Sequence, residues 1–151
     1  NGEQHGFGIY MNQFGYQSAG EWREGERHGS GTWSTPEGEK YVGQWTNGLI
    51  DGWGSWTGPD GDQISGDAKD IMAQVVAITY LYDELSEDLR ADRDITMAAV
   101  KHFGDHLEHA SDELKADREV VMAAVQNRAG ALGCASDELK TDPEILALID
   151  D

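Results

Sequence analysis

Glycine and aromatic residues return every 23 positions through the first third of the chain, and this step constrains the fold more than any other property. Gly2, Gly25 and Gly48 share one position; Gly6, Gly29 and Gly52 share a second; Gly8, Gly31 and Gly54 a third; Gly15, Gly38 and Gly61 a fourth. Tyr10, Trp33 and Trp56 keep the same step, as do Trp22 with Trp45, and Gly20 with Gly43 and Gly66. Self-similarity at such a period means stacked supersecondary units that share a core. Near Gly66 a period of 25 takes over, carried by Asp67, Asp92, Asp117 and Asp142, by Met72, Met97 and Met122, and by Leu89, Leu114 and Leu139.

In the first system the unit reads as a hairpin. Tyr41, Gly43 and Trp45 alternate with the period of two that sends side chains to one face of a strand. Asn47-Gly48, echoed by Glu24-Gly25 and Asn1-Gly2, supplies residues for a two-residue turn with positive φ. Pro59-Asp60-Gly61 and Pro36-Glu37-Gly38 mark the connection to the next unit. The glycine pairs inside the strands (Gly6/Gly8, Gly29/Gly31, Gly52/Gly54) indicate that a backbone or ring approaches closely there. One hairpin is marginal alone, whereas each buried ring adds about 2–3 kcal/mol, so the units need one another.

The run Tyr-x-Gly-x-Trp-x-Asn-Gly-x-x-x-Gly-x-Gly, complete from Tyr41 to Gly54, resembles the membrane occupation and recognition nexus (MORN) repeat. Residues 16–38 depart from it at Ser18, where the family has an aromatic and Tyr16 is the nearby substitute. The resemblance implies an elongated sheet of stacked hairpins whose groove holds protein segments, with some members associating with membranes or phospholipid.

The second system reads as helices. Asp67, Asp92, Asp117 and Asp142 stand as N-caps, with Pro143 preorganised for a first turn. Apolar stripes follow at Ile71, Val75 and Ile78, at Ile95, Ala99 and Val100, at Val120, Val121, Ala124 and Val125, and at Ile145, Leu148 and Ile149. Gly104 and Gly130 interrupt the helices; Leu107 and Ala110, then Leu132 and Ala135, form a shorter apolar segment. Ser111-Asp112-Glu113-Leu114 and Ser136-Asp137-Glu138-Leu139 close the units. The stretch from Ala110 to Val121 is similar to an uncharacterised repeat family of protists, algae and some bacteria, domain of unknown function family 4116. The expected fold class is therefore α+β: MORN-type β-hairpin repeats over residues 1–66, the first unit truncated, and acidic α-helical repeats of about 25 residues over 67–151.

Charge narrows the partners. The chain has 29 acids against 11 bases, a net charge of -18. Tracking a nucleic-acid backbone needs clustered Lys and Arg, so nucleic acid is excluded, and anionic membrane surfaces are disfavoured. No apolar stretch approaches the ~20 residues that span a bilayer, so direct membrane insertion is not expected. The single Cys134 cannot form an internal bridge, which fits an intracellular setting, cytoplasm or organelle, a plastid included. Because the chain opens on Asn1 in mid-unit, a fragment or processed product is expected.

Reactive constellations are sparse. His102, His106 and His109 beside Asp105 and Glu108 are read as solvated residues at a helix turn, since metal binding needs convergent ligands. His5 and His28 align with Asp51, which favours a turn role. Gly6-Phe7-Gly8 and Gly52-Trp53-Gly54 lack the continuation of a phosphate loop, and Asp60-Gly61-Asp62 lacks the spaced ligands of a calcium loop. Cys134 aligns with Glu84 and His109 and reads as a packing residue. No catalytic residue, cofactor or metal is expected, and the chain is not read as an enzyme. A one-layer sheet cannot bury both faces, so some aromatics should line a groove for extended or helical peptides. Trp33, Tyr41, Trp45 and Trp53 are the expected protein-binding set. The reading is a non-catalytic scaffold or peripheral subunit in a larger assembly, with a large organellar or photosynthetic one in view. The alternatives are a phospholipid-associated adaptor and an accessory fragment of a larger enzyme.

Overall fold

The computed structural model describes residues 5–75 and 81–149. The expected turn at Asn1-Gly2 and the stripe residue Ile78 lie outside them. The chain divides into two compact units, Asn1–Ile71 and Met72–Asp151.

The first unit is a six-stranded antiparallel sheet in sequential order: β1 (Gly6–Met11), β2 (Gln17–Arg23), β3 (Glu26–Ser34), β4 (Lys40–Thr46), β5 (Leu49–Thr57) and β6 (Gln63–Asp67). Its turns follow from local chemistry. Glu24 and Asn47 take φ of 54° and 50°, each followed by a glycine with positive φ, as a two-residue turn matched to strand twist requires.

Register turns the 23-residue period into a physical object. Gly8, Gly20, Gly31, Gly43, Gly54 and Gly66 are successive partners, forming one glycine row across all six strands. Beside it runs the row Tyr10, Ser18, Trp33, Tyr41, Trp56 and Ile64. A Cβ built on Gly31 would lie 2.7 Å from the Trp45 indole, and one on Gly54 would lie 2.5 Å from the Tyr41 hydroxyl. The rings therefore occupy the space that the missing side chains leave. Trp33 and Trp56 stack at 6.2 Å, and Tyr41 meets Trp45 edge-on at 5.9 Å. The other member of each glycine pair behaves differently from expectation: Gly29 and Gly52 have φ of 67° and 77° and sit where the register shifts, so they serve backbone bulges rather than ring contacts.

Ser18 leaves a gap in the aromatic row. Tyr16 reaches Trp33 at 5.9 Å, as the sequence indicates. Arg27 also enters: its guanidinium donates to Ser18 Oγ at 2.9 Å and lies 3.7 Å from the Trp45 ring centroid. One repeat later the same two positions hold Tyr41 and the buried Ile50, so the pair Ser18 and Arg27 replaces the pair Tyr41 and Ile50.

Helices begin at α1 (Ala68–Val75) and continue as α2 (Glu87–Arg90), α3 (Arg93–His102), α4 (Asp112–Lys115), α5 (Arg118–Asn127) and α6 (Pro143–Ala147), with 3-10 turns between them, among them Tyr82–Glu84, Gly104–His109 and Ala129–Cys134. Asp92, Asp117 and Asp142 each accept two backbone N–H groups at the start of α3, α5 and α6, and Asp67 accepts from Lys69. The core joins Val100, Leu107, Leu114, Val120, Val121, Ala124 and Val125, with Cys134 packed partly against it. Leu132 is only half-buried, and Ala131 takes the inward place instead.

Gly104 and Gly130 do not end the helices. Phe103 and Arg128 do so in extended conformation. Gly104 is needed for contact, because a Cβ there would lie 2.4 Å from the Ala124 carbonyl oxygen. Asn127 joins the same two layers by accepting from Gly104 N and donating to the carbonyls of Lys101 and His102.

Candidate functional site

Strand parity sorts the aromatic residues. On the glycine-row face Trp33 is 5% exposed, Tyr41 0% and Trp45 2%. The expectation that these three line an open groove is therefore corrected: the rings of Tyr41 and Trp45 lie over glycines and all three are buried, while Tyr10, in the same row on β1, stays 58% exposed. Burial also pushes the Tyr41 hydroxyl up to about 12, helped by the nearby carboxylates of Asp67 and Asp51. Trp53 has the opposite parity. It stands between Gly52 and Gly54 and is 66% exposed.

Around Trp53 the outer face is mostly polar and small. One row across it reads Ile9, Ala19, Thr32, Val42, Ser55 and Ser65. Its large apolar side chains are Trp53, Val42 and, on β1, Phe7, Ile9 and Met11, all exposed. Ile9 and Met11 were not singled out from the sequence, although their parity, like that of Phe7, is opposite to Gly8 and Tyr10 and marks them as facing outward. Phe7 shares the repeat position of Trp53.

The helical unit carries a different pattern, two copies of one clamp. Arg93 Nε donates to Asp117 at 2.8 Å and its Nη2 reaches Glu119; Arg118 Nε donates to Asp142 at 3.1 Å and its Nη2 reaches Glu144. Each arginine thus holds the N-cap and the first turn of the following repeat helix. The Arg93 hydrogen bond keeps the Asp117 carboxyl below its ordinary range, with cap N–H groups adding to it, and Arg118 does the same for Asp142. The arginines and glutamates are exposed and the aspartates only partly buried, so the clamps fix register more than they add stability.

Of the three histidines, His102 and His109 are exposed as the sequence indicates, and His106 is not. His106 is largely buried, packed 4.9 Å from the Tyr82 ring and 5.5 Å from Phe103. His106 Nδ1 and His109 Nε2 approach Asp83 Oδ1 at 3.5 and 3.4 Å, and the His106 hydrogen bond lowers the Asp83 carboxyl's affinity for protons. Among the described residues no three His, Cys, Asp or Glu side chains are arranged to hold a metal ion. No described helix is long and apolar enough to cross a membrane.

The MORN repeat family model matches residues 1–11, 19–40 and 41–63. MORN repeats generally mediate interactions with proteins or membranes. The model of a domain of unknown function, DUF4116, matches twice, over residues 69–115 and 92–140. Among curated proteins, none matches the chain. The chain thus carries MORN repeats over residues 1–63, followed by DUF4116 over residues 69–140.

Proposed function

We propose that the chain is a non-catalytic scaffold, a peripheral subunit that holds a protein partner on the outer face of its sheet within a larger assembly. The observation that carries this reading is Trp53, a large amphipathic ring left 66% exposed on the outer face, while the other indoles of β3 to β5, Trp33, Trp45 and Trp56, are buried. Indole rings in such positions are the usual anchors of protein interfaces. The organellar or photosynthetic assembly named from the lineage of the helical repeats is the setting we favour for it. A phospholipid surface is a weaker match: Arg23, Arg27 and Lys40 are the bases of residues 1–66, against nine acids, and Arg27 is engaged with Ser18 and Trp45. Each base near an anionic surface adds only about 1 kcal/mol.

Photocrosslinking tests the proposal. A benzoylphenylalanine placed at position 53 should give a protein adduct in the native assembly, and the same group at Ser65, on the same face, should give less. Adducts at neither position, together with flotation on anionic vesicles, would move the assignment to a membrane adaptor.

A further inference from the structure

Trp53 is set apart from its counterpart one repeat earlier by the residue beside it. There the cross-strand pair is Ser30 and Gln44, and Gln44 Nε2 donates to Ser30 Oγ at 3.2 Å, so the pair is satisfied within the sheet. One repeat later the same pair is Trp53 and Asp67. Directly opposed residues of an antiparallel pair share a face, with Cβ atoms about 4.5–5.5 Å apart, so an exposed carboxylate stands beside the exposed indole. Asp51, two residues before Trp53, is exposed as well. Beyond the effect of burial, Asp67 and Asp51 both raise the Tyr41 hydroxyl's pKa, and that hydroxyl lies 2.5 Å from where a Cβ on Gly54 would stand. Both carboxylates are therefore close to the residue that follows Trp53. Each spends one oxygen locally, Asp51 Oδ1 on Gly52 N at 2.9 Å and Asp67 Oδ1 on Lys69 N at 3.0 Å. Among the described residues neither is paired with a base.

Charge and surroundings identify the occupant. The adjoining row beside Trp53 holds Ser55, Ser65 and one exposed valine, Val42, so a leucine or phenylalanine anchor finds no pocket that would desolvate it. A cation needs none. The sheet already uses this chemistry on its inner face, where the Arg27 guanidinium lies 3.7 Å from the Trp45 ring centroid and donates to Ser18 Oγ. Outside, Trp53 is the same ring with acceptors at its side, in a chain whose net charge of -18 draws basic segments toward it. Arginine fits better than lysine. Its planar guanidinium stacks flat on an indole while its edge reaches a carboxylate, whereas an ammonium is a strongly hydrated point charge.

We propose that Trp53, Asp51 and Asp67 receive an arginine side chain of the protein partner, with the guanidinium lying on the indole and the carboxylates holding its edge. This rests on the docking role given above to the outer face and adds the chemistry of the occupant.

Nuclear magnetic resonance titration of the whole isotope-labelled chain with the synthetic peptide Gly-Ser-Arg-Gly-Arg-Ser-Gly tests it. The Trp53 indole N–H, assigned by its absence in Trp53→Leu, and the Gln44 side-chain amide should shift saturably while the other four indoles stay unmoved, and added salt should weaken the response. Asp51→Asn and Asp67→Asn should each weaken binding about 1.5- to 5-fold, whereas Asp67→Glu should keep it. Trp53→Phe, a poorer platform for a cation, should retain part of the Gln44 response and Trp53→Leu none. The same peptide with leucine in place of arginine should leave Trp53 unmoved. A leucine peptide that shifts Trp53 as far as the arginine peptide does, or binding indifferent to both asparagine variants, overturns the proposal. So does flotation with phosphatidylcholine vesicles that Trp53→Leu abolishes, since a choline headgroup offers a cation from a membrane instead. A protein adduct at position 53 in the native assembly beside a silent arginine titration removes this occupant alone; loss of both removes the docking face as well.

Discussion

Replacing Gly31 with alanine gives the most direct test of why glycine recurs in this sheet. A Cβ at that position would lie 2.7 Å from both Cδ1 and Nε1 of Trp45, whereas carbon atoms in contact settle near 3.5–4.0 Å. Trp45 is 2% exposed and has Arg27 stacked on it, so relief requires moving a packed ring by about 1 Å. Overpacking of this kind costs about 1–3 kcal/mol, and the lower chain entropy of alanine returns about 0.4–1 kcal/mol. The net loss is about 1–2 kcal/mol, equivalent to a fall in Tm of roughly 4–16 °C for a unit of this size. Gly66 supplies the control: it lies in the same row, yet a Cβ there meets nothing within 4 Å. Gly66→Ala should be neutral or stabilising by up to about 1 kcal/mol. All five tryptophans lie between residues 22 and 56, so their fluorescence during thermal or urea unfolding reports the sheet. Equal stability of the two variants would refute the claim that rings occupying the glycine row set the repeat.

Glu24 adopts φ of 54°, costly for an ordinary side chain, so Glu24→Asn should raise the urea midpoint of the fluorescence transition by about 0.5–1 kcal/mol in stability. Asp117→Ala should cost the helical unit about 1 kcal/mol by removing a cap, while Asp117→Asn keeps the acceptor and should cost less, as read by circular dichroism. The two units should respond oppositely to acid, in separate pH windows, the sheet above the ordinary carboxylate value and the helical unit below it. Asp117 and Asp142 have folded-state values held below the ordinary carboxylate range by Arg93 and Arg118, so their contribution is present above that range and lost as pH falls through the lowered values. Glu39 is raised, first by burial and then by Glu37, so it destabilises the sheet as pH rises from the ordinary value through the raised one. Glu39→Gln should flatten that part of the fluorescence-detected stability profile.

Periodicity made most of the architecture legible, and the exceptions have physical causes. Asn47-Gly48 and Glu24-Gly25 announced their turns because positive φ at both central residues is a local requirement. Asp92, Asp117 and Asp142 announced helix starts because a cap acts within three residues. By contrast, Gly52 and Gly54 look alike in sequence, yet one opens a bulge and the other receives Tyr41; only the strand register separates those roles. The aromatic set divides for the same reason. Alternation places Tyr41 and Trp45 on one face, but burial of that face depends on rings reaching over glycines of neighbouring strands. Trp53 was legible by its odd parity relative to Gly54 and Trp56, as were Phe7, Ile9 and Met11 relative to Gly8. His106 was not, since its burial depends on Tyr82 approaching from 24 residues earlier.

Hydroxyl-radical footprinting of the tryptophans, read by mass spectrometry on the isolated chain and on its native assembly, addresses the docking-face account most directly. In the isolated chain Trp53 should react fastest, with Trp33, Trp45 and Trp56 protected, and Trp53 alone should gain protection in the assembly. Equal labelling of Trp53 in both states would contradict the account.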